Sequence, residues 1–162
     1  MSRASDLRDA VRDELATRLD RTVDAVLVPG YSREELDSFD GPRVWVRRGR
    51  RRVSAEQGPD TRLVVIEVGL AGLLPEKAEG GETKAGYLAQ RLAAADSFDD
   101  LLEDVIGLWT PNGPLSECYL AEHSFVSIDE VQVFDAKEMD KTGIYIPVLQ
   151  ITYFDSLDDS ED

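Results

Sequence analysis

The stretch Leu63-Val-Val-Ile-Glu-Val-Gly-Leu70 constrains the fold more than any other part of the chain. Successive strand residues point to opposite faces, so Val64, Ile66, Val68 and Leu70 fill one face with aliphatic side chains, while Leu63 and Val65 share the other with Glu67. An edge strand would carry more polar residues, so this one is expected in the middle of a sheet. Its all-aliphatic face must be covered, and helices are the natural cover.

The rest of the chain supplies those pieces. Leu7, Val11, Leu15 and Leu19 recur every four residues with Ala10 beside them, which predicts an amphipathic helix from about Ser5 to Leu19. Ser5 is the expected cap, Asp6 and Asp9 suit the positive end, and Glu14 and Arg18 form an i,i+4 pair. Val23–Val28 reads as a strand ended by Pro29-Gly30, and Ser32-Arg-Glu-Glu35 has capping-box spacing for a short helical turn. A strand opens at Val44-Trp-Val46 and runs into the arginines, and Gln57–Asp60 is a turn. Gly72–Thr83 reads as a loop. Tyr87, Leu88, Leu92 and Ala95 predict a helix ending near Asp96, with a second one, capped by Ser97, carrying Phe98, Leu101, Leu102, Val105, Ile106 and Trp109. Strands are expected at Glu117–Ile128, Glu130–Phe134 and Ile144–Phe154, with a turn of helix at Asp135–Asp140. The element order predicts one α+β domain over residues 1–154, a mostly antiparallel sheet with helices on one side. Residues 155–162, nearly all acids and serines, are expected to form a solvated tail.

One cysteine, Cys118, excludes an intrachain disulfide and a cysteine-built zinc site. No apolar run resembles a signal peptide or a membrane span, so a soluble protein made in a reducing cytoplasm is expected. The formal charge of −15, from 33 acids against 18 bases, disfavours nonspecific adhesion to nucleic acid, which depends on basic residues releasing counterions from phosphates. It suits a duct through which DNA slides without being held.

Catalytic patterns are missing from the sequence. Gly80-Gly81 is followed by Glu82 rather than a phosphate-binding Gly-Lys-Ser/Thr, and there is no Gly-x-Ser-x-Gly. The single histidine, His123, lies five residues after Cys118, which in a regular strand puts them on opposite faces and argues against a nucleophile pair. A carboxylate from elsewhere in the chain orienting His123 stays open. No catalytic residue, cofactor or metal site is expected, and a half-buried strand histidine is the simplest reading.

Two charged clusters stand out as candidate subunit contacts. Arg47, Arg48, Arg50, Arg51 and Arg52 surround Gly49; Asp99, Asp100, Glu103 and Asp104, with Asp96, share a helical face. The acids lack the i,i+3 histidine of helical two-metal sites. Asp99/Glu103 and Asp100/Asp104 are like-charge i,i+4 pairs, each unfavourable by a few tenths of a kcal/mol, roughly, so a cationic neighbour would relieve them. The arginines fit a solvated loop, a nucleic-acid contact lacking the usual aromatic residues, or a basic arm laid on the acidic face of another copy. The last arrangement is head-to-tail and closes into a ring when the rotation permits.

An N-terminal amphipathic helix (Leu7–Leu19), aliphatic strands (Val44–Val46, Leu63–Leu70), a helix with Leu101-Leu102 and Val105-Ile106, and a closing Ile146-Pro-Val-Leu-Gln-Ile-Thr-Tyr-Phe154 follow one another. Across nearly the whole chain this order resembles the tail terminator and tail completion proteins of long-tailed bacteriophages. The resemblance implies a small α+β structural protein of the virion, assembled in the host cytoplasm. It implies a homo-oligomeric, hexameric ring on the last ring of tail tube protein, docked to a head-side connector or neck protein, with DNA passing through the lumen. Arg47–Arg52 and Gly72–Thr83 have no counterpart in that pattern. Other neck, head-completion, tube or baseplate subunits are the nearest alternatives. An acidic inhibitor or immunity-type protein that masks a basic partner is the alternative of another class.

Overall fold

The computed structural model describes residues 3–39, 41–49, 63–75, 84–110, 112–131 and 142–155. Helix α1 (Arg3–Leu19) leads into strand β1 (Val23–Ala25), helix α2 (Arg33–Ser38), strand β2 (Arg43–Arg48) and strand β3 (Leu63–Leu73). Helix α3 (Lys84–Gly107) precedes β4 (His123–Val131), β5 (Ile144–Tyr145) and β6 (Val148–Asp155). The sheet runs β1-β2-β3-β6-β4, with β5 paired to the end of β3. Among the described strands, β1 and β2 pair in parallel and the other pairs are antiparallel. The expected α+β class is the observed one, and β3 is central, flanked by β2 and β6.

The pleat divides the sheet as the alternation requires. Val44 and Val46, then Ile66, Val68 and Leu70, then Leu149, Ile151 and Tyr153, face a core closed by Leu7, Val11 and Leu15 of α1 and Leu102 and Val105 of α3. Trp109 follows α3 into this core, where its indole N–H donates to the Tyr153 hydroxyl at 2.8 Å. The opposite face is covered differently. Trp45, Ala71 and Val148 meet Leu36 of α2 there, with the Trp45 ring laid over Gly69. A Cβ at Gly69 would lie 2.4 Å from that ring and 2.6 Å from the Pro147 carbonyl, so the close approach requires glycine. The long helices are thus on one side as expected, and short α2 takes the other.

Several element boundaries differ from the sequence expectation, each for a local reason. α1 begins at Arg3, so Ser5 lies inside the helix and does not cap it. Its far end closes through Asp20 at φ +52°, with the Arg21 N–H donating to the Ala16 carbonyl at 3.2 Å. β1 stops at Ala25, well before Val28. The two helices expected around Asp96 and Ser97 are one continuous helix of 24 residues. Ser97 favours a cap, yet no Gly or Pro interrupts Tyr87–Ile106, and Ala93-Ala-Ala95 favours continuation. β3 continues through Gly72 and Leu73, residues expected to open a loop.

Glu117–Ile128 is not one strand. Leu120 and His123 exchange backbone hydrogen bonds of 3.1 and 2.9 Å around Ala121 and Glu122, both at positive φ. This is a two-residue hairpin turn built from residues that give no turn signal. β4 then carries an irregularity between Phe125 and Ser127, with Val126 left over. The final strand is split into β5 and β6 around Ile146-Pro147, where Pro147 offers only its carbonyl, which accepts from the Leu70 N–H at 3.2 Å. Asp155, expected to open the solvated tail, is the buried last residue of β6, anchored by Arg3. The expected Gln57–Asp60 turn, Asp135–Asp140 helical turn and residues 156–162 lie outside the described residues.

Candidate interaction surfaces

The charged clusters separate in space. Arg47 sits opposite Glu67 in the β2–β3 register and donates from Nε to Glu67 Oε1 at 2.5 Å. Glu67 is buried, so Arg47 pairs with a carboxylate largely withdrawn from water. Arg48 points to the α1 side of the sheet, exposed, its guanidinium 3.4 Å from the Ser5 hydroxyl. Arg50, Arg51 and Arg52 lie outside the described residues. On α3, Asp100, Glu103 and Asp104 are exposed on the outer surface. Asp99 is turned inward and accepts the Tyr145 hydroxyl at 2.8 Å, while neighbouring Phe98 stacks on the Tyr145 ring. Burial, then that hydrogen bond, pushes the Tyr145 hydroxyl well above its ordinary pKa. Within one chain Arg47 and the acidic face of α3 are therefore on opposite sides of the sheet, and a contact between them requires two copies.

His123 is completely buried rather than half-buried. Its Nδ1 lies 2.7 Å from the Ala121 carbonyl, which only accepts, so Nδ1 carries the proton. Nε2 has no hydrogen-bond partner and stands 3.9 Å from Asp155 Oδ2. A carboxylate from elsewhere in the chain thus lies near the buried ring, but outside hydrogen-bond distance of it. Asp155 is held by Arg3, whose Nε donates to Oδ2 at 2.8 Å and whose terminal nitrogens contact Asp155 Oδ1 and, at 3.3 Å, Glu122. The Asp155 hydrogen bond raises the Arg3 pKa further. Cys118 is half-buried in the turn before β4, so the opposite-face argument from a regular strand does not apply to it. Among the described residues no group of His, Cys, Asp and Glu is arranged to hold a metal ion, and no helix is long and apolar enough to cross a membrane.

Apolar side chains left in solvent were not anticipated from the sequence. Leu27 is 91% and Val28 63% exposed on the loop leaving edge strand β1. Leu88 and Leu92 are exposed on the N-terminal half of α3, and Tyr119 and Val126 beside and on the opposite edge strand, β4. The Leu27–Val28 loop is braced at its base. Asp24 accepts Arg43 Nε at 3.0 Å and its terminal nitrogen at 2.7 Å, and the Tyr31 hydroxyl at 2.6 Å. The Arg43 guanidinium in turn lies 4.2 Å over the Phe39 ring. Burial alone would raise the Asp24 carboxyl, but the hydrogen bonds from Arg43 and Tyr31 and the Arg43 charge outweigh it and hold the group below its ordinary value. Tyr31 is pushed up by burial and by its bond to Asp24.

Concavities are also present among the described residues. A shallow, open one of about 600 Å³ lies beside the end of α1, lined by the polar Arg12, Asp13, Asp20 and Arg21. A smaller cleft of about 220 Å³ lies between α2 and α3, lined by Leu36, Phe39, Pro42, Gly72, Leu73 and Phe98, with Asp37 among its lining residues. The sequence signal for the exposed loop was present in Pro29-Gly30, which ends the β1 run directly after two apolar residues. Compared with known protein families and with curated proteins, the chain matches none.

Proposed function

We propose that this chain is a structural subunit that works by self-assembly, and that its assembly is a bacteriophage tail, where it forms the terminator ring. The observation that carries the reading is the set of exposed apolar side chains on separate elements: Leu27 and Val28 beyond one sheet edge, Val126 on the other, Leu88 and Leu92 on α3. Different surfaces on one small domain can make head-to-tail contacts, which close into a ring when the rotation permits. The buried histidine and the paired Glu67 and Asp155 serve the fold.

In this reading function is geometry. A ring, hexameric by resemblance, seats on the last ring of tail tube protein and presents a surface to which no further tube ring adds. Its other side meets the head-side connector or neck protein. A charge of −15 per copy keeps passing DNA from adhering to the lumen. Electron microscopy of the purified protein, alone and mixed with tail tubes, tests this. Rings, or density capping tube ends, are expected; a monomer that ignores tubes and instead binds a basic protein tightly would replace the reading with the inhibitor class.

A further inference from the structure

We infer that the N-terminal half of α3 is a dimer contact, in which Leu88 and Leu92 of one copy pack antiparallel on Leu92 and Leu88 of a second. The inference rests on the self-assembly reading and gives one of its surfaces an occupant. Along α3 the buried side chains begin late, at Leu102 and Val105, after Phe98 has reached the Tyr145 ring. Over residues 88–97 no side chain is buried, and Leu88 is 52% and Leu92 64% exposed. Leucines one turn apart form a ridge, the unit with which helices pack. Single exposed apolar residues are ordinary on a surface. Two on one ridge, along a stretch of helix that buries no side of its own, are a helix face without a partner.

The order of residues along that ridge identifies the occupant. At steps of four it reads Lys84, Leu88, Leu92, Asp96: a cation, two leucines and an anion. Turned end for end, this row is its own complement. Two copies set antiparallel, with a two-fold axis level with Gln90, place Leu88 across from Leu92 and Lys84 across from Asp96, twice over. A parallel pair would set Lys84 on Lys84 and Asp96 on Asp96. The helix ends favour the same choice. The first turn of α3 holds no acidic residue, so the exposed Asp96 of a second copy meets its positive end unopposed. The charge of the whole helix is divided likewise. Residues 84–95 carry Lys84 and Arg91 and no acid, whereas Asp96, Asp99, Asp100, Glu103 and Asp104 all follow. In a chain of charge −15, this is a stretch that attracts the acids of a second copy. A two-fold contact closes at two copies, so the head-to-tail contacts of a ring fall to the other exposed surfaces. The patch is small, which makes the dimer weak and dependent on concentration.

Sedimentation velocity of the full chain over a range of concentrations tests the pairing. The double variant Leu88→Ser, Leu92→Ser is expected to weaken association about 30-fold, with the thermal melting curve unchanged because both side chains are largely in water. Lys84→Asp and Asp96→Lys should each weaken it alone, and an equal mixture of the two should restore it. A mixture no more associated than its parts overturns the proposal. Orientation is read in a Cys118→Ser background. Leu88→Cys protein mixed with separately purified Leu92→Cys protein should give a disulfide between the two, with one Leu88–Leu92 pair left in place. A disulfide that forms instead between two Leu88→Cys copies means a different alignment and overturns the proposal. If the double serine variant associates as the wild type does, the helix contact is wrong and self-assembly stands on another surface. A wild type that stays monomeric at every concentration overturns the dimer, and the capping of tail tubes under the microscope then decides the ring reading separately.

Discussion

At the scale of single residues, the charges of this chain divide into those that hold the fold and those in water. Arg43 and Arg47 are each engaged with a carboxylate, Asp24 and Glu67, whereas Asp100, Glu103 and Asp104 face solvent. Asp24 gives the clearest pH consequence. Its folded pKa is held below the ordinary value, so its contribution is complete above about pH 3.9 and disappears as pH falls through the lower folded value. Asp24→Asn should lower stability in urea unfolding at pH 7 by about 1–2 kcal/mol, the range for a charge-assisted bond that water partly screens. The gap between variant and wild type should close as the pH drops below about 4. A gap that stays constant would mean the Asp24 charge plays no part. None of this was legible in the sequence, because Asp24, Tyr31 and Arg43 are separated along the chain and meet only where β1, the loop and β2 come together.

At the scale of elements, legibility followed how far a signal depends on its neighbours. The α1 stripe, the Ser32 capping box and the central strand rest on spacings within one segment, and all appear in the structure. Ser32 Oγ accepts Glu35 N–H at 3.1 Å, and the reciprocal bond is present. Where the expectation failed, the backbone does something its residues do not announce. Ala121 and Glu122 adopt positive φ without being glycine or asparagine, a geometry imposed by the pairing of Leu120 with His123. Such residues cost on the order of 1 kcal/mol each in that region. The double variant Ala121→Asn, Glu122→Gly supplies the residues this turn prefers and should raise the melting temperature by several degrees. An unchanged value for the single variant Ala121→Asn, which leaves the Arg3–Glu122 contact in place, would show that the turn is not under strain. The Asp96–Ser97 break failed for the opposite reason: a capping residue is only an option, and a run without Gly or Pro has no need to take it.

At the scale of the whole molecule, the candidate contacts read from the sequence were charged, while the fold leaves apolar side chains open beside them. Charge density is visible in a sequence; exposure of Leu27 or Leu88 depends on where β1 stops and how far α3 overhangs the sheet, which only the folded chain decides. Salt separates the two kinds of contact. Raising ionic strength from about 0.05 to 0.5 M shortens screening to a few ångströms. Self-association through exposed apolar side chains such as Leu27 should strengthen as repulsion between copies of charge −15 is screened; an arginine arm on an acidic helix would weaken instead. Light scattering across that range reads the sign directly. The salt bridge between Arg3 and Asp155 has a practical corollary for such work. It places Arg3 and Asp155 side by side, so the start of α1 and the end of β6 share one spot on the domain. In any ring of identical copies, both would mark the same belt. A circular permutant that bridges these ends with a short flexible linker, and opens the chain elsewhere, has little distance to span.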